Sequence, residues 1–567
     1  MTGRSSSWRA AVLVRVHRRE GRRPVIRRFV SGSPVKWSWR ARLSSALALS
    51  SLSVAGLAGP AEAAAPTLAT SPAMGGLSAW TACGDGLECA KLPVPLDHAH
   101  PAAGTIELAL IRRPAADPAR RIGSLVYLEG GPGVSGVDTI RTSPDLFDEP
   151  VRDRFDIVGF DQRGVGQSAP VHCLTDEEKA AYLASVAHPR AVSVAPSRSG
   201  SLAAARAPAT GAADDEDLPA GFDETVEAYR QIVAGCERLS GPLLPYLSTE
   251  AAARDLDLLR AALGEPRLTA YGASYGTELG VTYAALFPTR LRALVLEAVL
   301  DPAQWTNDPL GHVRLQAIAF DAALDAFFAS CARDPECGFG HGDPAGAYDR
   351  LMARLAEKPI YARGKEVDTT TPVDASVAIS AVLELLYSEQ LWPILALGLE
   401  LADDYDDGSV LLATQEESSG ERDDGTFDNS FDAQIAIDCA DQNYPTDLAV
   451  YRRFAADLAR EAPRFGPVLA LGSVTCAFWP TPSASRYTGP FQAPGAPPIL
   501  LLGTTGDPAT PYQEALSTAA QLGDRAVLLT WRSYTHGAYA DSSCVREATD
   551  RYLIDLITPR PGTVCDD

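Results

Sequence analysis

Few folds accommodate the stretch Leu268-Thr-Ala-Tyr-Gly-Ala-Ser-Tyr-Gly-Thr-Glu-Leu-Gly280. The apolar run Leu268 to Tyr271 reads as a buried strand, and Leu279, Tyr283 and Leu286 recur beyond it at helical spacing. Between them, Gly272-Ala273-Ser274-Tyr275-Gly276 fits G-x-S-x-G. A strand that turns sharply into a helix needs small residues two before and two after the apex, where any Cβ would meet the neighbouring backbone. Gly272 and Gly276 fill those places. Such a turn holds the Ser274 hydroxyl at the tip of a parallel sheet, with the Tyr275 amide beside it at a helix N-terminus. The bland reading is a tight Gly-Ser turn without chemistry, and what decides against it is whether partners occur where the fold needs them.

The charge distribution narrows the partners. Residues 1–42 carry twelve basic residues against one acid, Glu20, which leaves 38 basic and 71 acidic residues in the rest of the 567-residue chain. An acidic body argues against nucleic acid, which requires basic patches. The basic start precedes an apolar run, Leu43 to Ala58, and then Gly59-Pro60-Ala61-Glu62-Ala63. This pattern predicts a signal peptide over 1–63 with cleavage near Ala63, and places the start of translation at Val35. Export is therefore expected, with the protein secreted or associated with the cell wall, and no later stretch reads as a membrane span. Ten cysteines follow the cleavage site: Cys83, Cys89, Cys173, Cys236, Cys331, Cys337, Cys439, Cys476, Cys544 and Cys565. In an exported chain these read as disulfides between sequence neighbours, though spacing alone leaves their connectivity open. No metal-ligand pattern competes with that reading.

Along the chain, Trp80 to Leu96 and Thr105 to Ile111 suggest an antiparallel edge hairpin. Ser124–Leu128 is a buried strand running into Glu129-Gly-Gly-Pro-Gly-Val-Ser-Gly136, a loop able to bring bare amides to a ligand. Phe155–Phe160 is the next strand, and Asp161-Gln-Arg-Gly-Val-Gly-Gln-Ser168 after it is expected to brace that loop. Residues 187–218 have the composition of a disordered insertion. Arg292–Leu300 is the strand after the elbow helix. From 302 to 490 the alternation gives way to helical patterns over His312–Cys331, Ala345–Glu357 and Val373–Asp403, with an acidic loop over Asp403–Asn429. Alternation resumes at Pro498–Leu502 and Ala526–Trp531. The expected organisation is a sheet domain in two parts, 64–301 and 491–567, interrupted by a helical cap over 302–490.

Only one of eight histidines, His536, lies beyond Gly503, in Ser533-Tyr-Thr-His-Gly537 just past the last strand. In α/β-hydrolases the triad follows the chain order Ser, acid, His, with the acid after the preceding strand. Asp507, in Gly503-Thr-Thr-Gly-Asp-Pro-Ala-Thr-Pro511, fits, and Asp301 or Glu297 after the elbow-helix strand are rival acids. His536 then takes the proton of Ser274, Asp507 holds the imidazole, and the amides of Tyr275 and Gly131 form the oxyanion hole.

Trp80 to Asp97, Gly130-Gly-Pro-Gly133, Asp161–Ser168, the Ser274 elbow, Ala436–Asp441, Gly503–Pro511 and Ser533–Cys565 together resemble the secreted tripeptidyl aminopeptidase family. These are α/β-hydrolase serine peptidases related to prolyl aminopeptidases. The resemblance implies a mostly parallel sheet flanked by helices with an inserted helical cap. It also implies peptide substrates with free N-termini, no cofactor, and the triad roles on Ser274, Asp507 and His536. Glu129 departs from the family, where His or Asn-Pro often stands. An exopeptidase must also read the substrate's ammonium, about three extended residues or roughly 10 Å from the serine. Asp441 and Asp438 in the cap, and Glu297 and Asp301 below it, are the candidates, whereas Glu278 reads as helix surface. A carboxylesterase with the same triad is the alternative function, since the triad does not choose between amide and ester.

Overall fold

The computed structural model describes residues 76–186, 222–363, 370–422, 424–480, 483 and 485–567. The expected signal segment, the Val35 start and the 187–218 insertion lie outside the described residues.

Twelve strands occur in the order β1 (Thr81–Ala82), β2 (Glu88–Pro95), β3 (Thr105–Arg113), β4 (Gly123–Leu128), β5 (Phe155–Phe160), β6 (Leu268–Ala273), β7 (Leu291–Glu297), β8 (Ile360–Tyr361), β9 (Pro372–Val373), β10 (Ile499–Thr504), β11 (Ala526–Trp531) and β12 (Val564–Cys565). Ten of them form one sheet, ordered β1-β2-β3-β5-β4-β6-β7-β10-β11-β12, and β8 and β9 pair separately. Pairing is antiparallel from β1 to β5 across β2 and β3, and parallel from β5 to β12. The parallel strands are near-continuous apolar runs because helices cover both of their faces: every residue of β4, β5 and β10 is buried. At β4 the strand order reverses, so the connections leaving the C-terminal ends of β4 and β6 run to opposite sides, the point at which open α/β sheets take their ligands.

One face of the sheet packs on helices Thr249–Ala262 and Tyr275–Leu286, with Ala433, Ile437 and Ala440 of helix Ser430–Asp441 in the same core. The other packs on Gly136–Thr142 and Ser543–Asp555. Between β7 and β10 the chain is mainly helical and carries a separate core, in which Phe320, Leu324 and Phe327 meet Leu351, Val382, Leu395 and Leu411. Two expectations for this region need correction. The Val373–Asp403 pattern is two helices, Ala375–Leu385 and Trp392–Tyr405, because the Ser388 side chain accepts the Gln390 amide and starts a new turn. The acidic stretch Asp403–Asn429 contains a helix, Ser409–Ser418, held by Leu411 and Leu412, which are fully buried. By length and composition alone, helix Pro309–Arg333 could cross a membrane. Its apolar side is instead packed in the helical core through Phe320, Leu324, Phe327 and Phe328.

All ten cysteines are paired between sequence neighbours: Cys83–Cys89, Cys173–Cys236, Cys331–Cys337, Cys439–Cys476 and Cys544–Cys565. The last pins β12 to helix Ser543–Asp555, behind the loop that carries His536.

Candidate active site

Ser274 stands between β6 and the helix Tyr275–Leu286 with φ +55° and ψ −124°, a conformation that side chains rarely adopt. Its surroundings over-determine it. A Cβ on Gly272 would lie 2.4 Å from the carbonyl oxygen of Gly276, and one on Gly276 would lie 2.0 Å from that of Leu128. The elbow therefore closes only with glycine at both places, which ties the G-x-S-x-G spacing to a backbone contact. The Ser274 amide donates to the carbonyl of Glu297, 3.0 Å away, so the apex is fastened to β7.

Asp507 and His536, both past the C-terminal ends of their strands, are joined. His536 Nδ1 lies 2.9 and 3.0 Å from the two carboxylate oxygens of Asp507. Asp507 is held in turn by the amides of Ala509 and Thr510, each at 2.9 Å, and by the Thr510 hydroxyl at 2.9 Å. With both its oxygens turned to Nδ1, that carboxylate fixes the N–H of the imidazole there, which leaves Nε2 as the basic nitrogen. Burial of the imidazole opposes its protonation, but the charge and hydrogen bond of Asp507, aided by Glu297 and Glu514, outweigh it. The His536 pKa is therefore raised above its ordinary value. The His536 amide donates to the Tyr387 carbonyl at 2.7 Å, and the Tyr387 ring meets the imidazole edge to face at 5.2 Å.

Glu297 serves both halves of this site. While its carbonyl holds Ser274, its Oε1 accepts the amides of Ala538 and Tyr539, each at 2.6 Å, and so fixes the loop carrying His536. Neither rival acid touches His536. Asp301 caps helix Pro302–Asn307 and accepts hydrogen bonds from Ser517 and Gln521, at 2.5 and 2.6 Å.

The loop after β4 closes over the elbow. A Cβ on Gly130 would lie 3.1 Å from the Ser274 Cβ, so the bare backbone at Gly130-Gly131 approaches the serine directly. Gly131 has φ +105°, and at Gly133 a Cβ would meet the Ser430 carbonyl at 2.5 Å. Helix Ser430–Asp441 thus begins against this loop. Asp161 braces it as the sequence suggests: Oδ1 accepts Ser135 Oγ at 2.5 Å and the Val137 amide at 3.1 Å. Arg163, fully buried, lies in a bidentate pair with Asp255 at 2.7 Å and reaches the carbonyls of Pro95, Leu96 and Tyr246. Asn429 donates to the carbonyls of Gly164 and Val171 and accepts the Gly166 amide, a role no local motif signals. Glu129 Oε1 caps the Gly130 amide at 3.0 Å, which is what the departure at this position does.

The remaining acids divide. Glu297 and Asp301 are occupied as described. Asp441, 3% exposed, accepts the Thr249 amide and hydroxyl, and that hydroxyl meets the Tyr275 phenol at 2.6 Å. Burial pushes its pKa up to about 7 against the pull of those donors. Asp438 leaves Oδ1 buried without a donor. Glu278 is not helix surface: it is 2% exposed, it bonds Thr282 at 3.2 Å, and its Oε2 has no partner. The elbow helix is covered on the side away from the sheet, which the absence of an apolar stripe there hides in the sequence.

Comparison with known proteins agrees with this architecture. A family profile described as alpha/beta hydrolase fold matches residues 123–370, and one described as TAP-like protein matches 462–565. Serine protease Hip1 of Mycobacterium tuberculosis is 35% identical over 528 residues, spanning 87% of this chain and 92% of its own. Carboxylesterase B of the same organism is 33% identical over 562 residues, 93% and 99% of the two chains. Tripeptidyl aminopeptidase of Streptomyces coelicolor is 27% identical over 499 residues, 84% and 83%. With an elbow serine, a joined Asp-His pair and relatives along most of its length, this chain belongs to the TAP-like family of α/β-hydrolases, a family of serine hydrolases.

Proposed function

We propose that the protein is an exported serine aminopeptidase that releases short peptides, tripeptides above all, from free N-termini. The observation that carries the chemistry is the Asp507–His536 pair standing at the sheet edge that also bears the strained Ser274. In this reading Ser274 attacks the scissile carbonyl while His536 Nε2 takes its proton. Asp507 holds the tautomer and stabilises the imidazolium, and His536 then returns the proton to the leaving amine. The amides of Tyr275 and Gly131 receive the oxyanion, a contribution of about 10²–10³ in rate for one such donor. Water repeats the sequence on the acyl-enzyme and frees the peptide. Relatives named serine protease and tripeptidyl aminopeptidase support the amide substrate, and five disulfides support export.

A second reading, carboxylesterase, is favoured by the relative of that name, which aligns with 93% of the chain. One experiment separates the two. The mature enzyme is given a tripeptide chromogenic amide with a free or an acetylated amino terminus, and a simple acyl ester. Rapid cleavage of the free-amine peptide alone is expected, with Ser274→Ala reducing it by about 10⁴–10⁶-fold. Ester cleavage with both peptides untouched would overturn the aminopeptidase, and full activity in Ser274→Ala would overturn the mechanism.

A further inference from the structure

The segment that carries His536 is gripped from two sides. Past the histidine the sheet holds it: the Glu297 carboxylate accepts the amides of Ala538 and Tyr539, and the Thr504 hydroxyl donates to the Gly537 carbonyl at 3.1 Å. Ahead of the histidine the grip comes from the helical region between β7 and β10. There the Tyr387 carbonyl accepts the His536 amide, and the Glu389 amide donates to the Thr535 hydroxyl at 3.3 Å. Glu389 Oε2 accepts both the Ser533 hydroxyl, at 2.6 Å, and the Tyr534 amide, at 3.2 Å. Ser533 and Thr535 are buried, so water does not compete for these bonds. Residues 387–389 thus run alongside 533–536 as a second support, and Gln390 donates to Asp541 just beyond it.

The Asp507 loop meets the same helical region at a different place. Helix Pro309–Arg333 carries His312, Gln316 and Phe320 at intervals of four, hence on one face. His312 Nδ1 lies 2.7 Å from Glu514 Oε1, Gln316 Nε2 donates to the Ala509 carbonyl at 2.7 Å, and the Phe320 ring meets Tyr387 at 5.8 Å. Ala509 is the residue whose amide holds Asp507 Oδ1, and its side chain is packed in the helical core together with Phe320. One helix face therefore touches the loop of the acid directly and the support of the histidine through Tyr387.

Asp507 and His536 stand on loops that leave different strands, so their pairing depends on what sets the two loops against each other. A misplacement of about 1 Å in such a constellation costs about 10²-fold in rate. We infer that Glu389 and Gln316 are positioning residues, Glu389 for the His536 loop and Gln316 for the Asp507 loop, and that the Asp–His pair is in register only when the helical region between β7 and β10 is seated on both. The inference rests on the reading of Ser274, Asp507 and His536 as the triad, and holds for a peptide or an ester substrate alike.

The test is the rate at which a fluorophosphonate labels Ser274 in the mature enzyme, located by mass spectrometry and followed against pH. Ser274 Oγ displaces fluoride from phosphorus while His536 takes the serine proton, so labelling needs the triad and no particular substrate. The variants are Glu389→Ala, Glu389→Gln and Gln316→Leu. One oxygen of Glu389 accepts both hydrogen bonds, so a carboxamide keeps them, and Glu389→Gln is expected to label within about threefold of the wild type. Glu389→Ala and Gln316→Leu are each expected to label slower by about tenfold or more. Their acid limbs should also move to lower pH, because an imidazole less firmly paired with Asp507 loses part of what raises its pKa against Glu297, Glu514 and burial. Partial unfolding of a variant lowers the yield of label without moving that limb. Wild-type labelling at Ser274, with Glu389→Ala and Gln316→Leu unchanged in rate and limb, overturns the positioning role and leaves the triad standing. Slower labelling with an unmoved limb overturns it as well, since that marks a loss of folded enzyme. Glu389→Gln as slow as Glu389→Ala would assign the effect to charge and overturn the hydrogen-bonded support. A wild type that is not labelled at Ser274 overturns the triad reading itself.

Discussion

The neighbours of His536 set the pH range in which the proposed base can act. Because Asp507 raises its pKa above the ordinary value of about 6.5, the neutral form needed for catalysis is reached only at correspondingly higher pH. The acid limb of kcat/KM is therefore expected to fall above that value. In Asp507→Asn two changes should appear together, a rate lower by about 10⁴ and an acid limb displaced to lower pH. A pH–rate profile of both enzymes checks this, and an unmoved limb would show that another group governs it. These two residues were legible in the sequence because chain order and a shortage of histidines left little choice. Glu297 was legible only as a rival for Asp507 or as a candidate for the substrate's ammonium. Its actual part, holding the Ser274 amide with its carbonyl and the His536 loop with its carboxylate, depends on the pairing of β7 with both β6 and β10. Such lateral contacts leave no local pattern.

Among the elements, the segment after β5 shows how a glycine-rich loop becomes rigid. Asp161, Arg163 and the backbone at Gly164 and Gly166 are tied respectively to the loop after β4, to helix Thr249–Ala262 and to Asn429. The Arg163–Asp255 pair is fully buried, so removing Arg163 leaves the buried carboxylate with His98 Nε2, 2.8 Å away, as its remaining side-chain partner. Arg163→Ala is expected to cost about 3–5 kcal/mol, read from urea unfolding midpoints. A loss below about 1 kcal/mol would mean that water reaches Asp255 and the brace is not needed. The sheet was readable strand by strand, since buried parallel strands announce themselves as apolar runs. Helix Ser409–Ser418 was hidden in an acidic stretch because two leucines suffice to anchor it, too few for a periodic signal. Glu278 was misread for the converse reason: a charged residue in the first turn of a helix is ordinarily solvated, and only the tertiary packing buries it.

Across the whole molecule the buried acids impose an unusual dependence of stability on pH. Burial raises Asp441 to about 7 and Asp550 to about 6, and holds Asp438 and Glu278 well above the carboxylate range. In the unfolded chain these groups titrate near 4. Between pH 4 and 7 the folded state therefore binds more protons than the unfolded one, and stability must fall as pH rises through that window. The contribution is fully present below the unfolded pKa and is lost once the folded value is passed. The acidic excess outside the first 42 residues acts in the same direction, because self-repulsion grows as the carboxyls ionise. The midpoint of thermal unfolding should thus be higher at pH 5 than at pH 7.5. In Asp441→Asn, which cannot ionise, that difference should shrink. A midpoint that rises toward neutral pH, or a difference that Asp441→Asn leaves unchanged, would show that Asp441 is ionised throughout. Its hydrogen bonds to Thr249 would then outweigh the burial that raises it.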